Sequence, residues 1–483
     1  MKICTLSPQG NGVRCGGITR FSGALNNVGV ENHFWELSQG SWNAPFINWE
    51  GDPFKLESVE DEDALLTKLE QYDVILNNWP TMTSNEHNSY RLWNVWKKLK
   101  SPLKITIIHN TILTAVRKEN LSPLVWASSD YIFVQVSENS TLCQELVRTM
   151  PWLEGKIRQF RQVLDIGEFQ ERIDSSLEVS QKNDTAMWIG RWENCRNTAR
   201  WSKVLSDANS LSYKSNYLHF GIGLESDVKT YWGFFANDKG NHVRLNSHEI
   251  KEEAPFLTKV QHVHLIDREK LSEIYTPEKL NDFLIFGRYQ YSVGMDLLQT
   301  SKWGISIFGA WKEELVKDYL SLAKLEYASL EIMLLSLPIF DYRHLETMEE
   351  KELFNAPWIL KSKHDATPEE NVELLRRMEA ITSDEKLYRD YREANIDYVR
   401  RKHAASNFLD LVRDCLASGK TSKLSQKEIL QRLYGEEIEF TPELWVSMQH
   451  TSKKIPHYIS WESQDKKPDK MKILARRKIT ELF

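Results

Sequence analysis

Short apolar runs alternate with helix-length amphipathic stretches along the first 170 residues. Lys2–Ser7, His33–Leu37, Val74–Asn77, Lys104–His109 and Tyr131–Val136 read as strands. Asp61–Glu70, Glu86–Leu99, Leu121–Ala127 and Ser140–Met150 read as helices. A further helix is expected after the polar loop Gln9–Gly17, with Thr19 available to cap it. Regular alternation of this kind implies right-handed crossovers and a mostly parallel sheet.

The pattern restarts after the polar connection Ser175–Asp184. Ala186–Gly190, Tyr217–Gly221, Val260–Ile266, Phe283–Phe286, Ile305–Phe308 and Pro338–Asp341 continue the strand series. Glu313–Met333 is expected to be helical or bent-helical, and Thr367 to about Ser418 is charged and helical throughout. The expected fold is therefore α/β: two Rossmann-like domains facing an interdomain cleft, followed by a C-terminal extension with helical character. The expected domains are 1–175, 176–418 and an extension, 419–483, rich in basic residues. Neither a solenoid-length repeat nor a low-complexity tract interrupts the pattern.

Composition narrows the classes. Of 483 residues, 41% are hydrophobic and 27% charged, ordinary for a folded chain. The formal net charge of -6 supplies no global attraction to nucleic acid, so any such contact must come from local basic patches. The 17 Trp are mostly core, with some available to line a cleft. Five scattered Cys, none in C-x-x-C spacing, argue against a disulfide framework or a zinc site and for a reducing compartment. The start lacks a signal-peptide layout and no apolar run approaches the ~20 residues of a membrane span. A cytoplasmic protein without membrane attachment is the expectation.

Four features carry candidate chemistry. Arg14-Cys15-Gly16-Gly17-Ile18-Thr19-Arg20 places adjacent glycines between a strand and a helix, where backbone N–H groups approach a phosphate or sugar; a plain tight turn is the alternative. Ile107-Ile108-His109-Asn110 puts a histidine at a strand's C-terminal end, as a general base or simply a structural histidine. Trp188-Ile189-Gly190-Arg191 ends a strand in Gly-Arg, with Arg196 following. Two guanidiniums there suit a diphosphate that gains charge as it leaves, although an exposed basic loop reads the same way. Leu325-Glu326-Tyr327-Ala328-Ser329-Leu330-Glu331 holds two carboxylates five apart. On a continuous helix they would stand about 140° apart, so both reach one ligand only at a helix start or bend; two solvated acids are the alternative.

Taken in order, a glycine loop, a histidine, Gly-Arg and paired glutamates follow the layout of a GT-B glycosyltransferase. The chain resembles the phage DNA α-glucosyltransferase family, which glucosylates 5-hydroxymethylcytosine in duplex DNA. The resemblance rests on Lys2-Ile3-Cys4, Cys15–Ser22, Trp188–Arg191, Leu325–Tyr327, Leu330-Glu331, Ile339-Phe340 and Ser383–Asp414. It covers about residues 1–415 and is thin between 205 and 300.

The resemblance implies a retaining transfer from a UDP-sugar to modified cytosine in duplex DNA, with glucose the default sugar and arabinose an alternative. Arg191 and Arg196 would hold the donor diphosphate, with Arg196 standing where the family has lysine. Glu326 and Glu331 would hold the ribose and sugar, and Gly16 and Gly17 would lie against the donor. His109 and Asn110 would face the reacting end; the family has aspartate in place of Asn110, and an amide is no base. A flipped base implies phosphate contacts, for which Arg14, Arg20, Lys97 and Lys98 are candidates, together with Lys100, Lys104 and the basic tail. Neither a tightly bound cofactor nor a divalent metal is expected. The alternatives are a GT-B enzyme with another acceptor and a non-catalytic DNA-binding protein on a degenerate transferase fold.

Overall fold

In the computed structural model, the described residues are 1–7, 17–28, 30–36, 59–78, 93–108, 122–135, 137–138, 143–144, 147, 151–176, 178–190, 198–223, 234–236, 242–244, 259–261, 280–286, 291–307, 325–347, 351–421 and 428. They form two units: residues 1–165 joined by the segment that begins at Ala405, and residues 166–404.

The first unit is built on a six-stranded, all-parallel sheet. Its strands are β1 (Lys2–Ser7), β2 (Glu31–Glu36), β3 (Val74–Asn77), β4 (Leu103–Ile108), β5 (Tyr131–Val134) and β6 (Ile157–Gln159), in the order β2-β1-β3-β4-β5-β6. Every residue of β3, β4 and β5 is buried, which is why these runs are nearly continuous in apolar residues rather than alternating. The helices α1 (Gly17–Asn26), α2 (Val59–Leu69) and α3 (Ser122–Ala127) belong to the crossovers.

The second unit carries a seven-stranded parallel sheet. Its strands are β7 (Asn183–Gly190), β8 (Leu218–Gly223), β11 (Lys259–Gln261), β12 (Phe283–Phe286), β13 (Ser301–Ser306), β14 (Leu337–Asp341) and β15 (Leu360–Ser362). Their order is β11-β12-β8-β7-β13-β14-β15. A separate antiparallel pair joins β9 (Phe234–Ala236) to β10 (His242–Arg244). The helices named below are α4 (Thr198–Ser210), α5 (Tyr291–Thr300), α6 (Tyr327–Leu335), α7 (Pro368–Ser383), α8 (Glu385–His403) and α9 (Ala405–Ser418).

The structure differs from the sequence expectation at instructive places. The helical stretch after Thr367 is three helices. Thr367 and Glu370 form a reciprocal capping box at the start of α7, and Asp384 leaves helical geometry (φ -108°, ψ 101°) to cap α8 through the Leu387 N–H. Ala404 (φ -66°, ψ 145°) then ends α8. The helix that follows, α9, belongs to the first unit, not to the domain 176–418 in which its sequence had placed it. Phe408 explains this: its ring lies 4.8 Å from Phe21, 5.6 Å from Phe133 and 6.0 Å from Phe160, all near edge-to-face. Tyr131 Oη also donates to the Gly419 carbonyl at 3.0 Å and Thr421 Oγ1 to that of Asp130 at 2.7 Å. Strand β13 starts at Ser301, ahead of its apolar run, and β6 and β15 are too short to stand out in sequence. Among the described residues no helix is long and apolar enough to cross a membrane.

Buried His219 on β8 reports on the second unit. Trp201 Nε1 donates to its Nδ1 at 3.1 Å, so its proton sits on Nε2, 2.8 Å from Ser215 Oγ. Burial holds the ring neutral and lowers its pKa from 6.5 to about 3. Between those values the unfolded chain binds a proton that the folded one excludes, so this stability is full above pH 6.5 and declines as pH falls towards 3. Urea unfolding of the wild type at pH 7 and pH 5 is expected to show a loss that shrinks in His219→Gln, by up to about 1.4 kcal/mol per pH unit.

Candidate functional site

In an open parallel sheet, ligands bind outside the strand C-termini where the winding direction reverses. In the second unit that point lies between β7 and β13. These strands are neighbours, yet β7 leads outward to β8 and β13 leads the other way to β14. The sequence Gly-Arg leaves the sheet here. Gly190 closes β7 with φ +149°, a conformation that favours glycine. Arg191 and Arg196 follow it and lie outside the described residues. The chain returns at Thr198, and Arg200 in the first turn of α4 is anchored at once. It pairs with Asp341 at the end of β14 and donates to the Ser362 carbonyl at the end of β15, at 2.7 Å. Asp341 also accepts from the His344 N–H at 3.2 Å. Both carboxylate and guanidinium are buried, and removing one partner of such a pair typically costs about 3–5 kcal/mol. Gly190 and Arg200, on either side of residues 191–197, are thus both tied to the second sheet.

Helix α6 brings the paired glutamates to the same edge. Ser306, the last residue of β13, shares a hydrogen bond with Ser329 at 2.7 Å, while Gly304, two residues earlier, faces Ile332 and Ser336. The helix thus runs antiparallel to β13, and its first turn lies at the strand's C-terminal end. The strand register (Gly304 beside Met187, Ile305 beside Trp188) makes that end level with Gly190. A methyl group at Gly304 would overlap Ile332, so only glycine permits this approach.

Glu326 is the residue before the helix. Its backbone is extended (φ -85°, ψ 166°), its carbonyl accepts the Leu330 N–H at 3.1 Å, and its carboxylate makes no capping bond. Glu326 thus stands at a helix start, the setting in which two carboxylates five apart can reach one ligand. Glu331 lies in the second turn, 4% exposed, and accepts a hydrogen bond from Tyr291 Oη at 2.7 Å.

The other end of α6 is gripped by two buried cations. Arg392 on α8 donates to the carbonyls of Met333 (2.7 Å), Ser336 (2.8 Å) and Leu334, and to Ser176 Oγ (2.8 Å). Lys182 donates to the carbonyls of Leu335 (2.7 Å), Gln299 (2.5 Å) and Ser301 (3.2 Å). Burial lowers the Arg392 pKa from 12.5 to about 10, so it stays charged at neutral pH. Burial, and the nearby Arg392 charge, also push Lys182 well down. Three carbonyl acceptors nevertheless call for three N–H donors, which only the ammonium supplies. These cations satisfy the carbonyls that a helix leaves unpaired and oppose the negative end of its dipole.

In the first unit, Arg14, Gly16, His109 and Asn110 lie outside the described residues. Gly17 is the first residue of α1, and Arg20, half-buried, closes that helix's first turn, beyond the C-terminal end of β1. Lys97 and Lys98 sit elsewhere. They close the helical run 93–98 that leads into β4, at the N-terminal edge of the sheet. Lys97 lies over the Trp93 ring at 4.3 Å and Lys98 is 3.9 Å from Glu62. Lys104 is 1% exposed and donates to the Trp96 carbonyl at 2.8 Å, so its charge is not available to a phosphate. Among the described residues, no cluster of three or more His, Cys, Asp or Glu is placed to hold a metal ion.

No family model and no curated protein sequence matches the chain. Solved structures do. An alpha-glucosyltransferase in complex with UDP and a 13-mer DNA containing a HMU base is similar at TM-score 0.61 and 15% identity, over 86% of this chain and 99% of that one. An alpha-glucosyltransferase with UDP-glucose and DNA containing an abasic site follows at 0.60 and 16%, over the same shares. The alpha,alpha-trehalose 6-phosphate synthase of Burkholderia multivorans matches at 0.51 and 9%, over 88% and 99%. The chain has a GT-B glycosyltransferase fold. Its two parallel sheets are those of this fold, and the sequence-based fold class holds.

Tyr291, Arg200, Lys182 and Arg392 were not among the residues singled out by sequence. Arg392→Met should lower the stability of the second unit by roughly 3–5 kcal/mol, because three helix carbonyls lose their donor in a buried site. Exposed Arg389, paired with Glu178, serves as the control: Arg389→Ala should leave the urea midpoint unchanged.

Proposed function

We propose that the protein is a retaining glycosyltransferase that transfers a sugar from a UDP-sugar to 5-hydroxymethylcytosine in duplex DNA. The observation that supports the donor half is that, within a GT-B fold, the end of β7 at Gly190 and the start of α6 beside Glu326 lie at the same edge of the second sheet. The acceptor half draws on the sequence resemblance, supported by likeness to structures holding UDP together with DNA.

In this reading Arg191 and Arg196 bind the donor diphosphate, and Glu326 and Glu331 accept hydroxyls of the ribose and sugar. The bond from sugar C1 to the diphosphate oxygen breaks as the acceptor hydroxyl bonds to C1 from the same face. The hydroxyl proton passes to His109 or to the departing diphosphate, since the Asn110 amide has no basic lone pair. Negative charge grows on the leaving group, and the two guanidiniums stabilise it where it develops. Gly16 and Gly17 lie against the donor. Arg14, Arg20, Lys97 and Lys98 are the candidates for contacts to DNA phosphates, and of these Arg20 stands beyond the C-terminal end of β1. Glucose is the default sugar; arabinose fits the change to Asn110.

Incubating the protein with radiolabelled UDP-glucose or UDP-arabinose and hydroxymethylated duplex DNA should label the DNA. Arg191→Ala should lower the rate about 100- to 1,000-fold, the size found for loss of a single transition-state donor. Sugar release or transfer only with a non-DNA acceptor would retain the donor site and reject DNA. Wild-type turnover by Arg191→Ala would reject the donor assignment.

A further inference from the structure

Tyr291 has no part in the roles assigned above, yet it holds one of the two glutamates. It is the first residue of α5, whose chain leaves the sheet at the end of β12, so it stands on the same C-terminal edge as the start of α6. Its hydroxyl lies 2.7 Å from Glu331 Oε1. An ionised carboxylate only accepts, so the phenol donates. Glu331 is 4% exposed, where a hydrogen bond to a carboxylate is stronger than in water and its loss more costly.

We propose that Tyr291 is a positioning residue that sets the plane of the Glu331 carboxylate for a ribose diol. The inference rests on reading this edge as the nucleotide-sugar site. A carboxylate accepts two neighbouring hydroxyls well only when both its oxygens face them, and free rotation about its last bond lets it turn away. A phenol fixed on a second helix ties Oε1 in place and so fixes the direction of Oε2. The tyrosine side chain has only two rotatable angles and loses little entropy in doing this. The consequence is specificity: the pair should favour a ribonucleotide over its 2′-deoxy counterpart.

The test is calorimetric titration of the full chain with UDP and with 2′-deoxy-UDP, for the wild type and for Tyr291→Phe, Glu331→Ala and the double variant. Tyr291→Phe keeps the ring, so the chain should still fold, with a lowered thermal midpoint from the lost bond to Glu331. It should weaken UDP roughly tenfold and narrow the preference for UDP over 2′-deoxy-UDP, as expected for loss of one charge-assisted hydrogen bond. In the Glu331→Ala background, Tyr291→Phe should add nothing, because its partner is gone. UDP affinity and ribose preference unchanged in Tyr291→Phe, but reduced in Glu331→Ala, would overturn this role while leaving the donor site intact. UDP affinity unaffected by Glu331→Ala, or no binding of UDP by the wild type, would overturn the site reading and this role together.

Discussion

Two buried cations at the C-terminal end of one nine-residue helix organise the candidate site. Arg392 and Lys182 together engage the carbonyls of Met333, Leu334, Leu335 and Ser336, all groups that α6 cannot satisfy internally. Burying two positive charges is costly unless their donors are matched; here the Lys182 ammonium and the two terminal nitrogens of Arg392 meet carbonyls and the Ser176 hydroxyl, while Arg392 Nε is buried without a hydrogen bond. Charge is thus concentrated at the end of the helix remote from the strand C-termini. At the other end the positive pole of the dipole faces the sheet edge, with Glu326 and Glu331 on the first turns. The arrangement makes the position of the two acids a consequence of packing deep in the unit rather than of a surface loop.

The rest of the edge follows from close approach. Gly304 lets α6 lie directly on β13, and the Ser306–Ser329 bond sets the height of its first turn. Arg200, clasped by Asp341 and the Ser362 carbonyl, returns the chain to the sheet after the Gly190 exit. Of the described candidate donor residues, Gly17 and Glu331 lie in helices and Glu326 immediately precedes one. The likeness to solved structures spans most of the chain at 9–16% identity and shows the fold alone.

Much of this was legible in sequence because parallel strands buried on both faces leave nearly continuous apolar runs. β3, β5, β12 and β14 are recognised in this way, and the Gly-Arg exit stands at the end of the run that forms β7. Other features were hidden for identifiable reasons. The start of β13, Ser301-Lys302, looks polar because the Ser301 hydroxyl is satisfied by the Leu297 carbonyl and Lys302 by Asp184. The start of α6 at Tyr327, with Glu326 just before it and no side-chain cap, has no clear signal in sequence. Residues 367–418 share one helical composition, so the two breaks and the return of α9 to the first unit depend on Asp384, Ala404 and the Phe408 ring cluster. Arg392 and Lys182 lie 210 residues apart and read as ordinary surface cations until the fold buries them. Tyr291, similarly, is defined by a partner 40 residues away.

Locating a bound nucleotide is the most direct measurement. Hydrogen exchange followed by mass spectrometry, with and without saturating UDP, should show slowed exchange in peptides spanning 189–200 and 325–332, with the N-terminal edge of the first sheet around residues 97–104 unchanged. UDP protection confined to other segments, with 189–200 and 325–332 exchanging as in the free chain, would contradict the placement of the donor site at this switch point.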